Sequence, residues 1–296
     1  MPLSQINKDL EKYFKQKFTL ELIDIPSMND VYLVKCNHKK YALKLYYDEG
    51  KGFFLSKDSF KESYDNELLA YTKFNMNELG KVYLHKKRKN YAFILRDFKE
   101  GTQLKNYKSF KLYKKAVDLM LKLHEVRLKC NCSKLKRSYE VRINEQLKRI
   151  EAYLPEKYKK EELINKIKTI KKQFPKTCDV KNSLLHGDYV DRNILVDKEN
   201  ICLVDFENSR IGPVEEDLAF FLTSINLSQE KKQELLNYYI KKSNYFKKER
   251  YNLVLLLAKI RFFGMFLKLN QLNLNKYDSK IKKDIKEIKR LYNLVK

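Results

Sequence analysis

The sequence contains, from residue 185, the segment Leu185-His186-Gly187-Asp188-Tyr189-Val190-Asp191-Arg192-Asn193 and, further on, the segment Val204-Asp205-Phe206-Glu207. Asp188 precedes Asn193 by five residues, and Asp205 follows Asn193 by twelve. Phosphoryl-transfer sites combine a carboxylate that orients the attacking hydroxyl with an amide and a second carboxylate that bind magnesium. The spacing therefore predicts a site of this kind, with Asp188 as its catalytic carboxylate.

The residues between these two segments predict a β-hairpin. Short apolar runs at 194–196 and 201–204 flank the polar stretch Asp197-Lys198-Glu199-Asn200, which is the pattern of two strands joined by a turn. Asn193 and Asp205 each lie six residues from Glu199, so they are expected side by side at the open end of the hairpin. One magnesium ion could bind both, because Mg²⁺ usually takes one or two oxygen ligands from the protein and others from nucleotide phosphates. The alternative, a surface hairpin with incidental acids, requires this spacing to arise by chance.

These residues resemble the corresponding motif of the aminoglycoside phosphotransferases and choline kinases, which are small-molecule kinases with the protein-kinase-like fold. The resemblance implies an α+β, two-lobed fold, with a small β-rich nucleotide-binding lobe at residues 1–98 and a larger, mainly helical lobe at residues 99–296. It implies ATP and Mg²⁺ as cofactors, Asn193 and Asp205 as metal ligands, and phosphate transfer to a hydroxyl of a small molecule. It also implies that Asp217 is a structural acid that braces the catalytic loop, and that His186 supports the same loop.

A lysine on an upstream strand fits the same resemblance. In this fold a strand lysine contacts the nucleotide phosphates and pairs with a glutamate on a following helix. The run Tyr41–Tyr46 predicts a strand that carries Lys44, and residues 62–74 predict a helix that carries Glu67. An exposed strand lysine is the alternative in a chain this rich in lysine, but Glu67 and the downstream motif favour the nucleotide role.

Two further nucleotide contacts are implied by the resemblance alone. Strands are predicted at Phe18–Ile25 and Val31–Lys35, and the turn between them would place Ser27 and Asn29 over the phosphates. No glycine falls in this turn, so the glycine-rich loop of protein kinases is absent from the sequence. A strand from Tyr91 would lead into a hinge whose backbone receives the adenine edge near three residues, Arg96, Asp97 and Phe98.

The sequence after Asp205 indicates the size of the acceptor. Asp217 arrives only twelve residues later, which leaves little room for the activation segment with which protein kinases hold a peptide. The acceptor is therefore predicted to be a small molecule rather than a protein. Glu207 stands where protein kinases have glycine, and two roles are open for it: a ligand of a second metal ion, or a purely structural carboxylate.

Length and composition favour a folded, two-lobed protein without a membrane span. The chain has 296 residues, 43% of them hydrophobic, which is more than one small core requires. It lacks the run of roughly 18 apolar residues that a transmembrane helix needs, and residues 1–14 contain no apolar signal core. Five cysteines without a paired spacing indicate neither a disulfide framework nor a zinc site, so a cytoplasmic location is expected.

The formal net charge of +25 has two interpretations. One is a nucleic-acid or anionic-membrane partner. The other is base composition, since lysine, asparagine, tyrosine and isoleucine are all abundant, and the basic residues alternate with apolar ones along predicted helices instead of forming one block. The second interpretation is favoured, because no nucleic-acid-binding motif accompanies the charge. The alternatives to an active kinase are a catalytically silent relative that binds nucleotide and a basic nucleic-acid-binding protein; the intact motif set disfavours the first.

The charge also bears on the acceptor. Residues 218–296 contain 18 lysines and arginines against 6 aspartates and glutamates, which disfavours polycationic aminoglycosides. A few acids could still form such a pocket: Asp191, Glu215 and Glu216. Choline-like acceptors need an aromatic cage, for which the sequence offers several rings, including Tyr238, Tyr239, Tyr245, Phe262, Phe263 and Phe266. The sequence does not identify the acceptor.

Overall fold

The computed structural model of the protein describes residues 3–23, 29–47, 60–74, 78–129, 132–170 and 181–296. It divides into two compact units: the first comprises residues 1–108 and 192–209, and the second comprises residues 109–191 and 210–296. The first unit thus includes residues 99–108 and the hairpin segment in addition to residues 1–98. The boundary of the nucleotide-binding lobe between residues 98 and 99 stays a prediction.

The described elements, in chain order, are α1 (Leu3–Phe14), β1 (Thr19–Leu22), β2 (Asp30–Cys36), β3 (Lys39–Tyr47), α2 (Phe60–Lys73), β4 (Val82–Lys87), β5 (Tyr91–Asp97), β6 (Thr102–Gln103), α3 (Phe110–His124), β7 (Arg127–Lys129), α4 (Cys132–Tyr153), α5 (Lys160–Ile170), β8 (Lys181–Leu185), β9 (Ile194–Asp197), β10 (Asn200–Leu203), β11 (Arg210–Gly212), α6 (Glu215–Ser224), α7 (Gln229–Lys242), α8 (Lys248–Leu269) and α9 (Asp278–Val295). The strands and the helix predicted before and after Lys44 are present as β1, β2, β3 and α2, with bounds that differ by a few residues.

The first unit is built on a five-stranded antiparallel sheet in the order β1-β2-β3-β5-β4. Successive side chains of a strand point to opposite faces of the sheet. On β3, Leu43 and Leu45 belong to the apolar cluster that includes α1, whereas Tyr46 belongs to the cluster that includes α2. Lys44, two residues before Tyr46, points the same way. The alternation therefore directs Lys44 toward the helix that carries Glu67.

The predicted hairpin is present as β9 and β10, but its register differs from the prediction by one residue. Its turn consists of two residues, Lys198 and Glu199, so no residue lies at the centre. Asn193 consequently lies opposite Val204, whose N–H donates to the carbonyl of Asn193 at 3.0 Å. Asp205 follows with a φ of +70°, where the chain leaves the strand. The prediction placed Asn193 and Asp205 symmetrically about Glu199, and the two-residue turn shifts this pairing by one residue, so both lie at the open end of the hairpin without being directly opposite.

The second unit is mainly helical. An apolar cluster joins α4, α5, α8 and α9, and a small three-stranded sheet in the order β11-β8-β7 leads into the loop that carries Asp188. The α+β class, with a β-rich first unit and a helical second unit, agrees with the sequence-based prediction. Among the helices of the described residues, none combines the length and the apolar character needed to cross a bilayer.

Candidate active site

A buried lysine surrounded by carboxylates forms the centre of the first unit. Lys44 is 2% exposed, and its Nζ lies 2.8 Å from Oε2 of Glu67, 2.5 Å from Oδ1 of Asp205 and 3.0 Å from Oε2 of Glu207. Glu67 is itself fully buried and also accepts a hydrogen bond from the hydroxyl of Tyr46 at 2.7 Å. The ion pair expected between Lys44 and Glu67 is therefore present, on β3 and α2 as predicted.

The charges of this cluster are unequal. Burial lowers the pKa of Lys44, but the carboxylates of Asp205, Glu207 and Glu67 raise it well above the usual lysine value, so the group stays an ammonium. Burial and the charge of Asp205 raise the pKa of Glu207 to about 7, which the neighbouring Lys44 only partly offsets. Oε1 of Glu67 is buried without a hydrogen-bond partner among the described residues. Three carboxyl groups share the ammonium of Lys44, and the raised pKa of Glu207 reflects this crowding of negative charge.

Two asparagines connect to Glu207. Nδ2 of Asn29 donates to Oε2 of Glu207 at 2.5 Å, and Nδ2 of Asn66 donates to its backbone carbonyl at 3.2 Å. Asn29 is thus positioned on the carboxylate cluster, and the phosphate contact assigned to it stays a prediction. Ser27, the other residue of the predicted turn, lies outside the described residues.

The residues of the predicted hinge have their own partners. Arg96 is 6% exposed, lies 5.7 Å from the ring centroid of Tyr71, and donates to the carbonyl of Asp97 at 3.2 Å. The backbone N–H groups of Asp97 and Phe98 donate to the carbonyls of Lys81 and Lys40 at 2.9 and 3.4 Å. These contacts fix the end of β5, and the adenine contact of this backbone stays a prediction.

The residues of the hairpin fit a divalent metal by the chemistry of their donor atoms. Asn193 is buried at the base of β9, and the side chain of Asp205 is 34% exposed, in contrast to the buried Lys44 and Glu67. Amide and carboxylate oxygens are the hard ligands that Mg²⁺ prefers, and Mg²⁺ commonly takes only one or two of them from the protein. In keeping with this, no group of three or more His, Cys, Asp or Glu side chains in the described part of the chain is arranged as a metal site.

The loop with Asp188 is held by a buried acid in the second unit. Asp217, at the start of α6, accepts hydrogen bonds from the backbone N–H of His186 at 2.8 Å and of Gly187 at 2.9 Å, and it lies 3.3 Å from Nε2 of His124. Burial raises the pKa of Asp217, but the bond with His124 and the charges around it lower the pKa below its usual value. The N–H of Asp188 in turn contacts Nδ1 of His186 at 3.3 Å. Asp217 and His186 thus make the loop contacts that the sequence predicted.

Asp188 has a charged partner that the sequence analysis did not identify. Nη2 of Arg261, on α8, lies 2.8 Å from Oδ1 of Asp188, and the guanidinium lies 4.8 Å from the ring centroid of Phe220. Asp188 is 6% exposed, so the pair is largely shielded from water. The one signal in the sequence is that Lys259 and Arg261 interrupt an otherwise apolar helix.

Residues 20–252 match the model of a protein family described as the phosphotransferase enzyme family. The chain belongs to this family. Among curated proteins, no sequence matches this phosphotransferase.

Solved structures of kinases share the fold of this phosphotransferase. A spectinomycin phosphotransferase bound to ADP and spectinomycin is 16% identical, with a TM-score of 0.58 over 99% of this chain and 97% of its own. A choline kinase from Streptococcus pneumoniae is 17% identical, with a TM-score of 0.64 over 97% of this chain and 100% of its own. An amicoumacin kinase in complex with AMP-PNP, Ca²⁺ and Ami is 13% identical, with a TM-score of 0.64 over 97% of this chain and 93% of its own. These likenesses confirm the protein-kinase-like fold.

Two acids that could have served a cationic acceptor of this phosphotransferase are fully buried. Glu215 is bound to Arg250 by bonds of 2.8 and 2.9 Å. Glu216 accepts bonds from the hydroxyl of Tyr139 at 3.0 Å and from Arg142 at 2.9 Å, and it also pairs with Arg210. Sequence order places these acids beside Asp217, but only their packing shows that they serve internal arginines.

Proposed function

We propose that this phosphotransferase moves the γ-phosphate of ATP to a hydroxyl of a small molecule, with Mg²⁺ bound to the nucleotide. The observation that carries the proposal is the buried Lys44, which a helix glutamate holds and two hairpin carboxylates approach within 3.0 Å. A lysine with a purely structural role needs only one carboxylate partner, whereas Lys44 has three. The candidate metal ligand Asn193 belongs to the same unit. We further propose that the reaction takes place in the cytoplasm, where ATP is available.

In this proposal the first unit binds the nucleotide. Lys44 contacts the phosphates and Glu67 keeps it in position, while Asn193 and Asp205 hold the metal, which neutralises charge on the phosphate oxygens when bound. Glu207 is a candidate ligand of a second metal ion, and its raised pKa reflects the same crowding of carboxylates. Further nucleotide contacts are assigned to the turn and hinge residues Ser27, Asn29, Arg96, Asp97 and Phe98.

Asp188, in the second unit, is the candidate catalytic residue. Its carboxylate orients the acceptor hydroxyl and takes its proton as the hydroxyl oxygen bonds to the γ-phosphorus. The bond from that phosphorus to the bridging oxygen breaks, which gives ADP and a phosphate ester. Most of the rate gain at such sites comes from positioning and charge neutralisation, so the fixed Asp188 loop is as important as the basicity of the carboxylate.

The small size of the acceptor is supported by the chain between Asp205 and Asp217. This segment contains β11, which pairs with β8, and the start of α6, with only short connections before and between them. This leaves no long segment for docking a peptide at the point where protein kinases have one. The proteins of similar fold are named as kinases or phosphotransferases of spectinomycin, choline and amicoumacin, all of which are small molecules.

Replacement of Lys44 tests the nucleotide site. Lys44→Met should abolish the rise in melting temperature that Mg-ATP produces in the wild type and should lower phosphate transfer at least about 100-fold, because the phosphates lose their buried cation. Lys40→Met is the matched control: Lys40 lies on the same strand, is 49% exposed, and pairs with Glu100 at the surface. Melting temperatures without nucleotide show whether either variant is merely unfolded.

A mass-shift screen with Mg-ATP tests the transfer itself. Purified protein is incubated with a panel of aminoglycosides, macrolides, choline, ethanolamine, sugars and hydroxy acids, and a gain of one phosphoryl group identifies the acceptor. Asp188→Asn should abolish transfer and keep the stabilisation by Mg-ATP, whereas Asp118→Asn, which removes a surface pair with Lys242, should keep both. Stabilisation without transfer to any compound would favour a catalytically silent relative, and no stabilisation by Mg-ATP in the wild type would contradict the proposal.

A further inference from the structure

Three consecutive carboxylates of the second unit are unavailable to a cationic acceptor, whereas Asp191 is partly exposed. Glu215, Glu216 and Asp217 follow one another directly and are each 0% exposed. All three are engaged, with Arg250, with Arg142 and Arg210, and with the Asp188 loop, respectively. An aminoglycoside or another polycation would need carboxylates that face the acceptor, and these three face arginines and backbone N–H groups of the protein.

The aromatic rings offered for a choline-like acceptor are also engaged. Lys242 lies 4.3 Å from the ring centroid of Tyr238, and Arg127 lies 4.0 Å from that of Tyr245. Tyr239 and Phe263 are buried in the interior of the unit. Phe220, near Asp188, carries the guanidinium of Arg261 on its ring. A cage for a quaternary ammonium needs open ring faces, and cations of this chain already occupy a face of Tyr238, Tyr245 and Phe266.

Two arginines contact the loop with Asp188 instead, and two more lie near these two. Arg261 binds Asp188 itself, and Nη1 of Arg210 donates to the carbonyl of Gly187 at 3.3 Å. Arg142 pairs with Glu216 at 2.9 Å, and Arg149 pairs with Glu145 at 2.5 Å. Burial and the neighbouring charges of Arg210 and Arg261 lower the pKa of Arg142 to about 10. The carboxylate of Glu216 acts in the opposite direction and offsets only part of this decrease. The arginines are therefore close enough to repel one another.

In this cluster the arginine side chains are more exposed than the carboxylates with which they pair. The side chains of Arg142 and Arg261 are 23% and 18% exposed, whereas those of their partners Glu216 and Asp188 are 0% and 9% exposed. Each arginine is thus the more exposed member of its pair, although both pairs are mostly buried. A ligand that reaches Asp188 in this unit therefore meets the guanidinium of Arg261 beside it.

We propose that the acceptor carries an anionic group, a carboxylate or a phosphate ester, which binds to Arg142 and Arg261 beside Asp188. This inference rests on the proposed function, because it names the substrate class of that reaction. A guanidinium binds a carboxylate or a phosphate through two parallel N–H bonds, which fixes the orientation of the bound molecule as well as holding it. The anionic group on the arginines would place a hydroxyl of the same molecule at Asp188.

Inorganic sulfate serves as the first probe of this site. Its dissociation constant is measured by calorimetry in saturating Mg-ADP, at constant ionic strength, for the wild type, Arg142→Gln and Arg290→Gln. Arg290 is a matched control in the same unit, since it pairs with Glu287 at 2.8 Å on the surface and is 56% exposed. We expect Arg142→Gln to weaken binding about 10-fold or more, as loss of a charge-assisted contact does, and Arg290→Gln to change it less than about 2-fold.

A second variant distinguishes loss of the sulfate contact from loss of the fold. It is needed because Arg142→Gln removes a partner of the buried Glu216. Arg142→Lys keeps the charge and loses the planar fork, so its sulfate affinity should fall about 3-fold, between those of the wild type and Arg142→Gln. Equal sulfate affinity in all Arg142 and Arg290 variants, or no binding to the wild type, would overturn the inference.

The last part of the test compares acceptors that have similar carbon skeletons and differ in their anionic group. Phosphate transfer is compared among glycerol, glycerate and glycerol 3-phosphate, with choline and spectinomycin as cationic compounds. Faster transfer to glycerate or to glycerol 3-phosphate than to glycerol supports the inference and distinguishes a carboxylate from a phosphate ester. Transfer to choline or spectinomycin that Asp188→Asn abolishes would keep the proposed function and reject the anionic acceptor. Failure of Mg-ATP to stabilise the wild type would reject the proposed function itself.

Discussion

The buried charges around Lys44 and around Asp188 are tolerated because each charged group has partners of opposite sign. Lys44 would lose most of its hydration in the first unit, and the carboxylates of Glu67, Asp205 and Glu207 replace it within 3.0 Å. Breaking one member of such a cluster typically costs about 3–5 kcal/mol, since the partners are left buried and unpaired. This is why the Lys44 test needs melting temperatures without nucleotide, and why position on the same strand makes Lys40 the appropriate control.

Asp217 allows a test of pH dependence at the level of one residue. Its pKa is lowered in the folded protein, so the stabilisation that it provides is fully present above its usual value of 3.8 and is lost as the pH falls through the lower folded value. Asp217→Asn should therefore reduce the free energy of unfolding by about 2–3 kcal/mol at pH 7, because the N–H groups of His186 and Gly187 lose a charged acceptor.

Urea unfolding at pH 7, 5 and 3.5 would measure this difference. The gap between the wild type and Asp217→Asn should shrink at the lowest pH, where the wild-type carboxyl begins to take up a proton. Asp65→Asn removes an exposed pair with Lys87 and serves as the control, with an expected change below about 1 kcal/mol. A gap that stays constant from pH 7 to 3.5 would argue against a stabilising ionised Asp217.

At the level of elements, the hairpin of β9 and β10 depends on the close approach of β6. Gly101 has a φ of +140°, and a Cβ at this position would lie 2.8 Å from the backbone carbonyl oxygen of Val196 on β9. Backbone atoms cannot move aside as a flexible side chain can. Gly101→Ala should therefore push β6 away from the strand that begins after Asn193.

We expect Gly101→Ala to lower the free energy of unfolding by about 2–4 kcal/mol, from the steric overlap and the unfavourable φ together. Because the hairpin carries the candidate metal ligands, the stabilisation by Mg-ATP should fall as well. Thr102→Ala, at the next and exposed position, is the control and should change both quantities little. Equal stability of the two variants in urea would show that the hairpin does not need this contact.

At the level of the whole molecule, the net charge of +25 predicts binding to polyanions that is independent of the site. Random duplex DNA should bind at about 50 mM salt and be largely released by about 200 mM, since release of counterions makes such binding steeply salt-dependent. Fluorescence anisotropy with two unrelated duplexes would measure it. Binding that survives about 300 mM salt, or that prefers one duplex, would instead support a nucleic-acid partner.

The fold class and the candidate residues of the first unit were predictable because their signals are local. The alternation along β3 places Lys44 on one face, α2 follows with Glu67, and a polar turn between two apolar runs forms the hairpin of Asn193. Strand and helix periods act over a few residues, so the sequence contains them directly. Even here the register was wrong by one residue, because the number of residues in the turn sets the pairing and the pattern leaves that number open.

By itself, therefore, the sequence determined the motif around Asp188, and the family that this motif resembles implied the α+β fold class and the pairing of Lys44 with Glu67. Only the tertiary structure decided which charged side chains remain available to a ligand. Arg261 lies 73 residues from Asp188 in the chain, and Arg142 lies 74 residues from Glu216. Packing of α4, α6 and α8 brings these groups together, and no local pattern encodes contacts at such separations. The burial of Glu216 with its arginine partners results from that packing, as does the guanidinium of Arg261 beside the candidate catalytic carboxylate.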